Sequence, residues 1–170
     1  CASDALVASN LAQAQGFWHV RESISMAQAE EGLNIKHDIS LPISRIPAFC
    51  AETDARLAQA FAGVRIVNFG HLGDGNLHYN VQAPLGVDPA VFLSTQESAV
   101  NGLVYEQVRA HGGSISAEHG IGSLKAHTLP KHKDPVALDW MHRIKAALDP
   151  HQRLNPGRVL LADQRYTGTP

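Results

Sequence analysis

The sequence predicts an α+β fold: an antiparallel sheet with helices packed on one face, ferredoxin-like, plus a C-terminal helical segment. Three observations carry that expectation. Residues 33–41, LNIKHDISL, place Leu33, Ile35, Ile39 and Leu41 on one side and Asn34, Lys36, Asp38 and Ser40 on the other, which is the period-two pattern of a half-buried strand. Residues 64–72 and 76–82, VRIVNFGHL and NLHYNVQ, read as strands joined by Gly73-Asp74-Gly75, and a tight hairpin makes an antiparallel pair. The segments around these strands carry apolar residues at helical spacing.

Taken in chain order, DALVASNLAQAQ (4–15) is Ala-rich, opens with Ser3-Asp4 as a cap and closes at Gly16. FWHVRESISMAQAEEG (17–32) reads as a second helix ended by Gly32. After the 33–41 strand, Pro42 breaks the chain, and 43–61 is helical with Pro47 in its first turn. The hairpin follows. Residues 88–113 form a long helix ended by a glycine pair. SISAEHGIG (114–122) reads as a short strand running into a glycine-rich corner. Residues 135–150 place Leu138, Met141, Ile144 and Leu148 at helical spacing, NPGRVL (155–160) is a turn with a short extended end, and 163–170 reads as a flexible tail.

With 170 residues, 44% of them apolar and 18% charged, the chain is long enough for one domain with a core and is not of disordered composition. A formal net charge of −2 gives no reason to expect nucleic acid or an anionic membrane as partner. No apolar run reaches the roughly 18 residues of a membrane span. Two cysteines, Cys1 and Cys50, are too few for a disulfide framework and fit a reducing, cytoplasmic compartment. The chain starts at Cys1 without methionine and reads as a piece of a longer protein.

The chemistry concentrates in GHLGDGNLHYN (70–80) and SAEHGIG (116–122). If Asp74-Gly75 forms a type I′ turn, His71 lies directly opposite His78 on one face, with Cβ atoms about 4.5–5.5 Å apart. Two imidazoles at that separation reach one ion at about 2.0–2.1 Å. Asn80 shares their face, while Leu72, Leu77 and Tyr79 turn to the other. Glu118 can complete a His₂Glu set, a known catalytic metal arrangement with an open position. His119 points away from Glu118 on an extended backbone and is free for acid–base work, because imidazole titrates near neutrality. Plainer readings stand beside these: two solvent-facing histidines across a hairpin, and a helix N-terminus at Glu118. Of ten histidines, the other seven lack partner spacing, and His37 falls on the apolar side of its strand as a core residue. Arg21, with Ser25 four residues on, and Lys36 could converge on an anionic group, Arg as a fork and Lys as a point charge; equally, Arg21 can pair with Glu22 and Lys36 can be solvated.

GHLGDGNLHYN, GGSISAEHGIGSLK and LDPHQRLNPGRVL, in this order and at these separations, resemble the C-terminal half of the FAD-linked 2-hydroxyacid dehydrogenases, flavoproteins of the vanillyl-alcohol-oxidase type. The group includes D-lactate dehydrogenase, the glycolate oxidase flavin subunit and D-2-hydroxyglutarate dehydrogenase. RESIS and LNIKHDISLP look most like the D-2-hydroxyglutarate branch. The resemblance covers nearly all of residues 1–161, and it implies a substrate- and metal-binding C-terminal domain at 1–162. It implies that His71, His78 and Glu118 are ligands of a divalent metal, usually zinc, and that His119 is the base taking the hydroxyl proton. Asn80 matches a substrate-contacting asparagine. Arg21, Ser25 and Lys36 match positions that hold substrate carboxylate, with Ser25 where threonine is usual. Asn155 matches a residue near the flavin, and Arg158 stands where the family usually has lysine.

The N-terminal FAD-binding domain of such enzymes has no counterpart here, and no dinucleotide fingerprint is visible. FAD would be held mainly by that missing domain, and the fragment alone would be inactive. A small 2-hydroxy acid, an electron-accepting protein or quinone, and a second copy of the chain are the expected partners, with a membrane-peripheral site open for the full-length protein. Two other readings of the same residues are a metal-dependent hydrolase and a non-catalytic α+β binding module. The absence of an H-E-x-x-H helix counts against the common zinc peptidase.

Overall fold

A computed structural model describes residues 4–163, 165 and 166. Cys1 and any pairing with Cys50 lie outside the described residues, as do residues 164 and 167–170 of the expected tail. The chain divides into two compact units, Cys1–Leu33 and Asn34–Pro170.

The first unit holds helices α1 (Leu11–Glu22) and α2 (Ile24–Glu30). This differs from the expected pair in both start and break. Residues 4–10 are not helical, and the cap is Asn10, whose side chain accepts from Gln13 N at 2.9 Å. Gln13 Oε1 reaches back to Ser9 N, also at 2.9 Å. This Asn-x-x-Gln pattern caps α1, and the Ser3 of the expected cap lies outside the described residues. Gly16 sits inside α1 and does not end it. The interruption falls at Ser23, whose Oγ donates to His19 O at 2.7 Å, the back-bonding that bends helices.

The second unit contains β1 (Asn34–Ser40), α3 (Ile46–Ala60), β2 (Arg65–His71), β3 (Asn76–Gln82), α4 (Pro89–Ala110), α5 (Leu129–His132) and α6 (Pro135–Leu148). Asp88 and Asp134 cap α4 and α6 through backbone N–H groups two and three residues on. The three strands form an antiparallel sheet in the order β1-β3-β2. The expected fourth strand at 114–122 shrinks to one bridge between Ser40 and Ser114. A Cβ on Gly113 would come within 2.4 Å of Ser40 O, so only glycine lets the chain approach β1 there. With that bridge counted, the spatial order and the β-α-β-β-α-β connectivity follow the ferredoxin-like plan.

Alternation divides the sheet. Ile35, Ile39, Leu77, Tyr79 and Val81 join Phe49 and Leu57 of α3 and Val100, Val104 and Val108 of α4 in one buried cluster. His37 lies on this side, as expected, almost fully buried, with Nδ1–H donating to Tyr79 O at 2.7 Å. Burial pushes its pKa down to about 4. Tyr79 packs edge-on to Phe49 at 5.4 Å and donates its hydroxyl to Asp54 at 2.5 Å. Leu72, expected on this side, sits in the hairpin loop and is exposed. On α6, Trp140, Ile144 and Leu148 are exposed, so the helical spacing there does not mark a buried stripe. Tyr166 stacks on His142 with ring centroids 5.1 Å apart. No described helix is long and apolar enough to cross a membrane.

Candidate active site

The other side of the sheet is polar. Lys36, Asp38 and Ser40 of β1 stand opposite Asn80, His78 and Asn76 of β3. On the far flank of β3, His71 is opposite Asn76 and Phe69 is opposite His78. Expectation and structure differ here in register. His71 and His78 are not a directly opposed pair, because Asp74 does not adopt the positive φ that a type I′ turn requires. Instead Leu72–Asp74 form a 3₁₀ turn, and Gly75 alone is left-handed at φ 77°. Asp74 Oδ1 accepts from Asn76 N, and Leu41 N donates to Gly75 O at 3.0 Å. A Cβ on Gly75 would lie 2.1 Å from Leu41 O, so this seam too requires glycine. The loop is longer than expected by two residues, an even number. Side-chain parity is therefore kept, and both histidines still share one face, now as diagonal neighbours.

Glu118 fills the space between them. One carboxylate oxygen lies 3.8 Å from His71 Nε2 and the other 3.9 Å from His78 Nε2. Asn76 Nδ2 donates to Glu118 Oε1. Glu118 thus stands beside both histidines, one oxygen toward each, but no choice of one ligand atom per residue brings these three within 4.8 Å of one another. The segment that brings Glu118 here is not extended as the sequence suggested. Asp38 Oδ2 accepts N–H bonds from Ala117, Glu118 and His119 at 3.1, 2.9 and 2.9 Å, curling three successive residues around one oxygen. Burial by itself raises the Asp38 pKa, but the bonds from His119, Glu118 and Ala117 outweigh it and hold the carboxyl below the ordinary range. The curl also turns His119 back toward the sheet. Its Nδ1 is 3.9 Å from Asp38 Oδ2, and its ring centroid is 6.0 Å from that of His78. Glu118 and His119 therefore do not diverge, and Asp38, Glu118 and His119 each offer a ligand atom within 4.8 Å of the others.

Asp38, which sequence reading placed on the polar face without a role, and Asn76, to which it gave none, are further functional candidates. An acid at the centre of a strand, on a side lacking other acids, was the available signal for Asp38. Each carries a buried side-chain oxygen, Asp38 Oδ1 and Asn76 Oδ1, with no hydrogen-bond partner. Asn80 is buried on the same face, and Lys36 opposite it is exposed. Arg21 lies in the last turn of α1 and Ser25 in the first turn of α2, on either side of the Ser23 interruption. Asn155 takes a left-handed φ of 48°, which asparagine tolerates, and lines an open cavity of about 680 Å³ with Met141, Ile144 and Arg158.

The fold and this face define a class first: an α+β domain whose titratable groups converge on the open side of an antiparallel sheet, while its core lies on the other. Comparison with known proteins then gives the family. A family model described as "FAD linked oxidases, C-terminal domain" matches residues 1–159, and the chain belongs to that family. It is 37% identical over 159 residues to a protein named D-2-hydroxyglutarate dehydrogenase of Stutzerimonas stutzeri, covering 94% of this chain and 34% of that one. It is 40% identical over 168 residues to one of the same name from Xanthomonas citri pv. viticola, covering 99% and 35%. The mitochondrial protein of that name from Arabidopsis thaliana is 39% identical over 158 residues, covering 93% and 27%. The chain spans about a quarter to a third of the length of these relatives.

Proposed function

We propose that this chain is the substrate-handling part of a flavin-dependent D-2-hydroxyacid dehydrogenase that oxidises D-2-hydroxyglutarate, or a close D-2-hydroxy acid, to the 2-oxo acid. The observation that carries the reading is the Glu118 carboxylate, with one oxygen 3.8 Å from His71 Nε2 and the other 3.9 Å from His78 Nε2. A carboxylate between two imidazoles supplies the donor chemistry of a His₂Glu site, and in our reading these three residues hold a divalent metal, zinc, after drawing together toward the roughly 3.4 Å donor spacing of a tetrahedral ion. When bound, the ion would polarise the substrate's hydroxyl and carboxylate oxygens. The flavin, held mainly by residues outside this chain, would supply the hydride acceptor, with a protein or quinone as final acceptor.

The remaining chemistry belongs to side chains here. His119 takes the hydroxyl proton at the ring nitrogen turned from Asp38, as the Cα hydride leaves and the C–O bond becomes C=O. Asp38, 3.9 Å from His119 Nδ1, stabilises the imidazolium so formed. Asn80 and Lys36 lie opposite one another on the same face and bind the substrate's polar groups, Lys36 a carboxylate. Arg21 and Ser25 keep the carboxylate-binding role that the resemblance assigns them.

The test is the flavin spectrum of the full-length protein under anaerobic addition of D-2-hydroxyglutarate, D-lactate and glycolate in turn. Bleaching by D-2-hydroxyglutarate at the lowest concentration is expected, with loss after chelation and recovery on adding zinc. A spectrum unchanged by all three acids overturns the reading.

A further inference from the structure

A second group of charges lies away from Glu118. Between β1, the middle of α4 and residues 124–132, an open cavity of about 490 Å³ is lined by Lys36, Lys125 and Lys131, facing one carboxylate, Glu97. Among the described residues, none of the three ammonium groups has a carboxylate within 4.0 Å, and Asp38 attracts Lys125 from farther off. Lys36 and Lys131 are exposed and Lys125 is half-buried, and three like charges around one concavity favour an anion there. Lys125 is not free to swing out. Its Nζ donates to Ile115 O at 2.7 Å and stands 5.9 Å from the centre of the Tyr105 ring. One lining residue, His132, holds a buried ring nitrogen, Nδ1, with no hydrogen-bond partner, whereas Asn101, also in the lining, is a hydrogen-bond partner of His37. A neutral imidazole can present His132 Nδ1 as an acceptor. Burial, Arg109 and Lys131 all lower the His132 pKa, which favours that neutral form.

The cavity therefore asks for a ligand that offers several acceptor oxygens to ammonium groups and at least one O–H to a buried acceptor. An unsubstituted, fully ionised dicarboxylate such as succinate has no such donor. Hydrogen phosphate has one, and a phosphate monoester has one in its alcohol portion when that carries further hydroxyls. We propose that this cavity binds a small phosphate group, free or as a small hydroxylated ester, at a site distinct from the reaction face. Lys36 is the single residue common to both, standing at the boundary between them.

Calorimetric titration of the full-length flavoprotein with inorganic phosphate, glycerol 3-phosphate and succinate tests this. Saturable uptake of at least one phosphate compound is expected, weakened about tenfold or more by Lys131→Ala and also by Thr128→Val, another lining position. Both side chains lie outside the core, and a thermal melt verifies folding. His71→Ala should leave phosphate uptake unchanged. Absence of phosphate uptake, or uptake indifferent to Lys131→Ala and Thr128→Val, overturns the site. Succinate uptake lost in those variants, without phosphate uptake, assigns the cavity to dicarboxylates and likewise overturns the proposal. Turnover surviving His71→Ala would instead sink the dehydrogenase reading and leave this inference standing.

Discussion

The two faces of the sheet are made by the same three strands and obey different rules. One face is held by area: Ile35, Ile39, Tyr79 and Val81 meet α3 and α4, and each buried apolar side chain contributes on the order of 1.5–3 kcal/mol. The other is held by a few directed bonds. Asp38 fixes three consecutive N–H groups, and that curl delivers Glu118 to His71 and His78. The first face tolerates exchange among apolar shapes, whereas the second depends on single atoms. The contrast teaches where function can change without the fold noticing: His119, the proposed base, has a largely exposed side chain and lies outside the core cluster.

The sharpest way to break this contrast is His119→Ala in the full-length enzyme. We expect kcat to fall about 10²- to 10⁴-fold, the usual worth of a positioned acid–base group. Metal content should be unchanged, and stability should shift by no more than about 0.5 kcal/mol, as for an exposed substitution. Steady-state kinetics, metal analysis and a urea titration read all three. If metal is lost in parallel with kcat, His119 belongs to the ligand set; if stability collapses, the two faces are not independent.

The division of the faces was legible in the sequence because it rests on alternation alone. Leu33 to Leu41 announced β1, and His37 could be placed in the core by counting in twos. The placement of His71 and His78 on one face survived a wrong turn type because the error was two residues, which preserves parity; an error of one would have put them on opposite faces. What sequence could not supply was the shape of 114–122. That segment looks extended in isolation, and its curl comes from Asp38, some 80 residues away. A long-range bond from a strand to a loop leaves no local period. The start of α1 was missed for a different reason: Asn10-x-x-Gln13 and Ser9 form its cap, and the Ala-rich residues before them read as helical too.

A second prediction uses the apolar face. His37 is kept neutral by burial, with a folded pKa of about 4 against about 6.5 in the unfolded chain. Between those values only the unfolded chain takes the proton. Stability contributed by keeping His37 neutral is therefore complete above about pH 6.5 and is lost as pH falls toward 4. At about 1.4 kcal/mol per pH unit, the loss reaches about 3 kcal/mol across that window. Urea midpoints between pH 7 and 4 should show this slope in the native chain and a flatter one in His37→Gln. An identical slope in both would mean that another group drives acid sensitivity here.

Asp38, the next residue, faces the other way, and its smaller effect tests the directed-bond side. Its folded pKa is depressed below the ordinary aspartate value of about 3.9, because three N–H donors outweigh the cost of burial. The sign follows: its contribution is full above about pH 4 and disappears as pH falls through the depressed value, a window separate from that of His37. Asp38→Asn keeps an acceptor oxygen but removes the charge that strengthens the three bonds, so a loss of about 1–2 kcal/mol at neutral pH is expected. That loss should be local. Amides of 117–119 should exchange faster in deuterium, about tenfold, while those of Val100, Val104 and Val108 in α4 keep their rates. In turnover, kcat should fall more than KM changes, since Asp38 acts by positioning Glu118 and His119 rather than by touching substrate. Uniformly faster exchange, reaching the α4 amides, would show that the two faces share one cooperative structure and that the curl of 117–119 is a consequence of the core rather than a device set by one carboxylate.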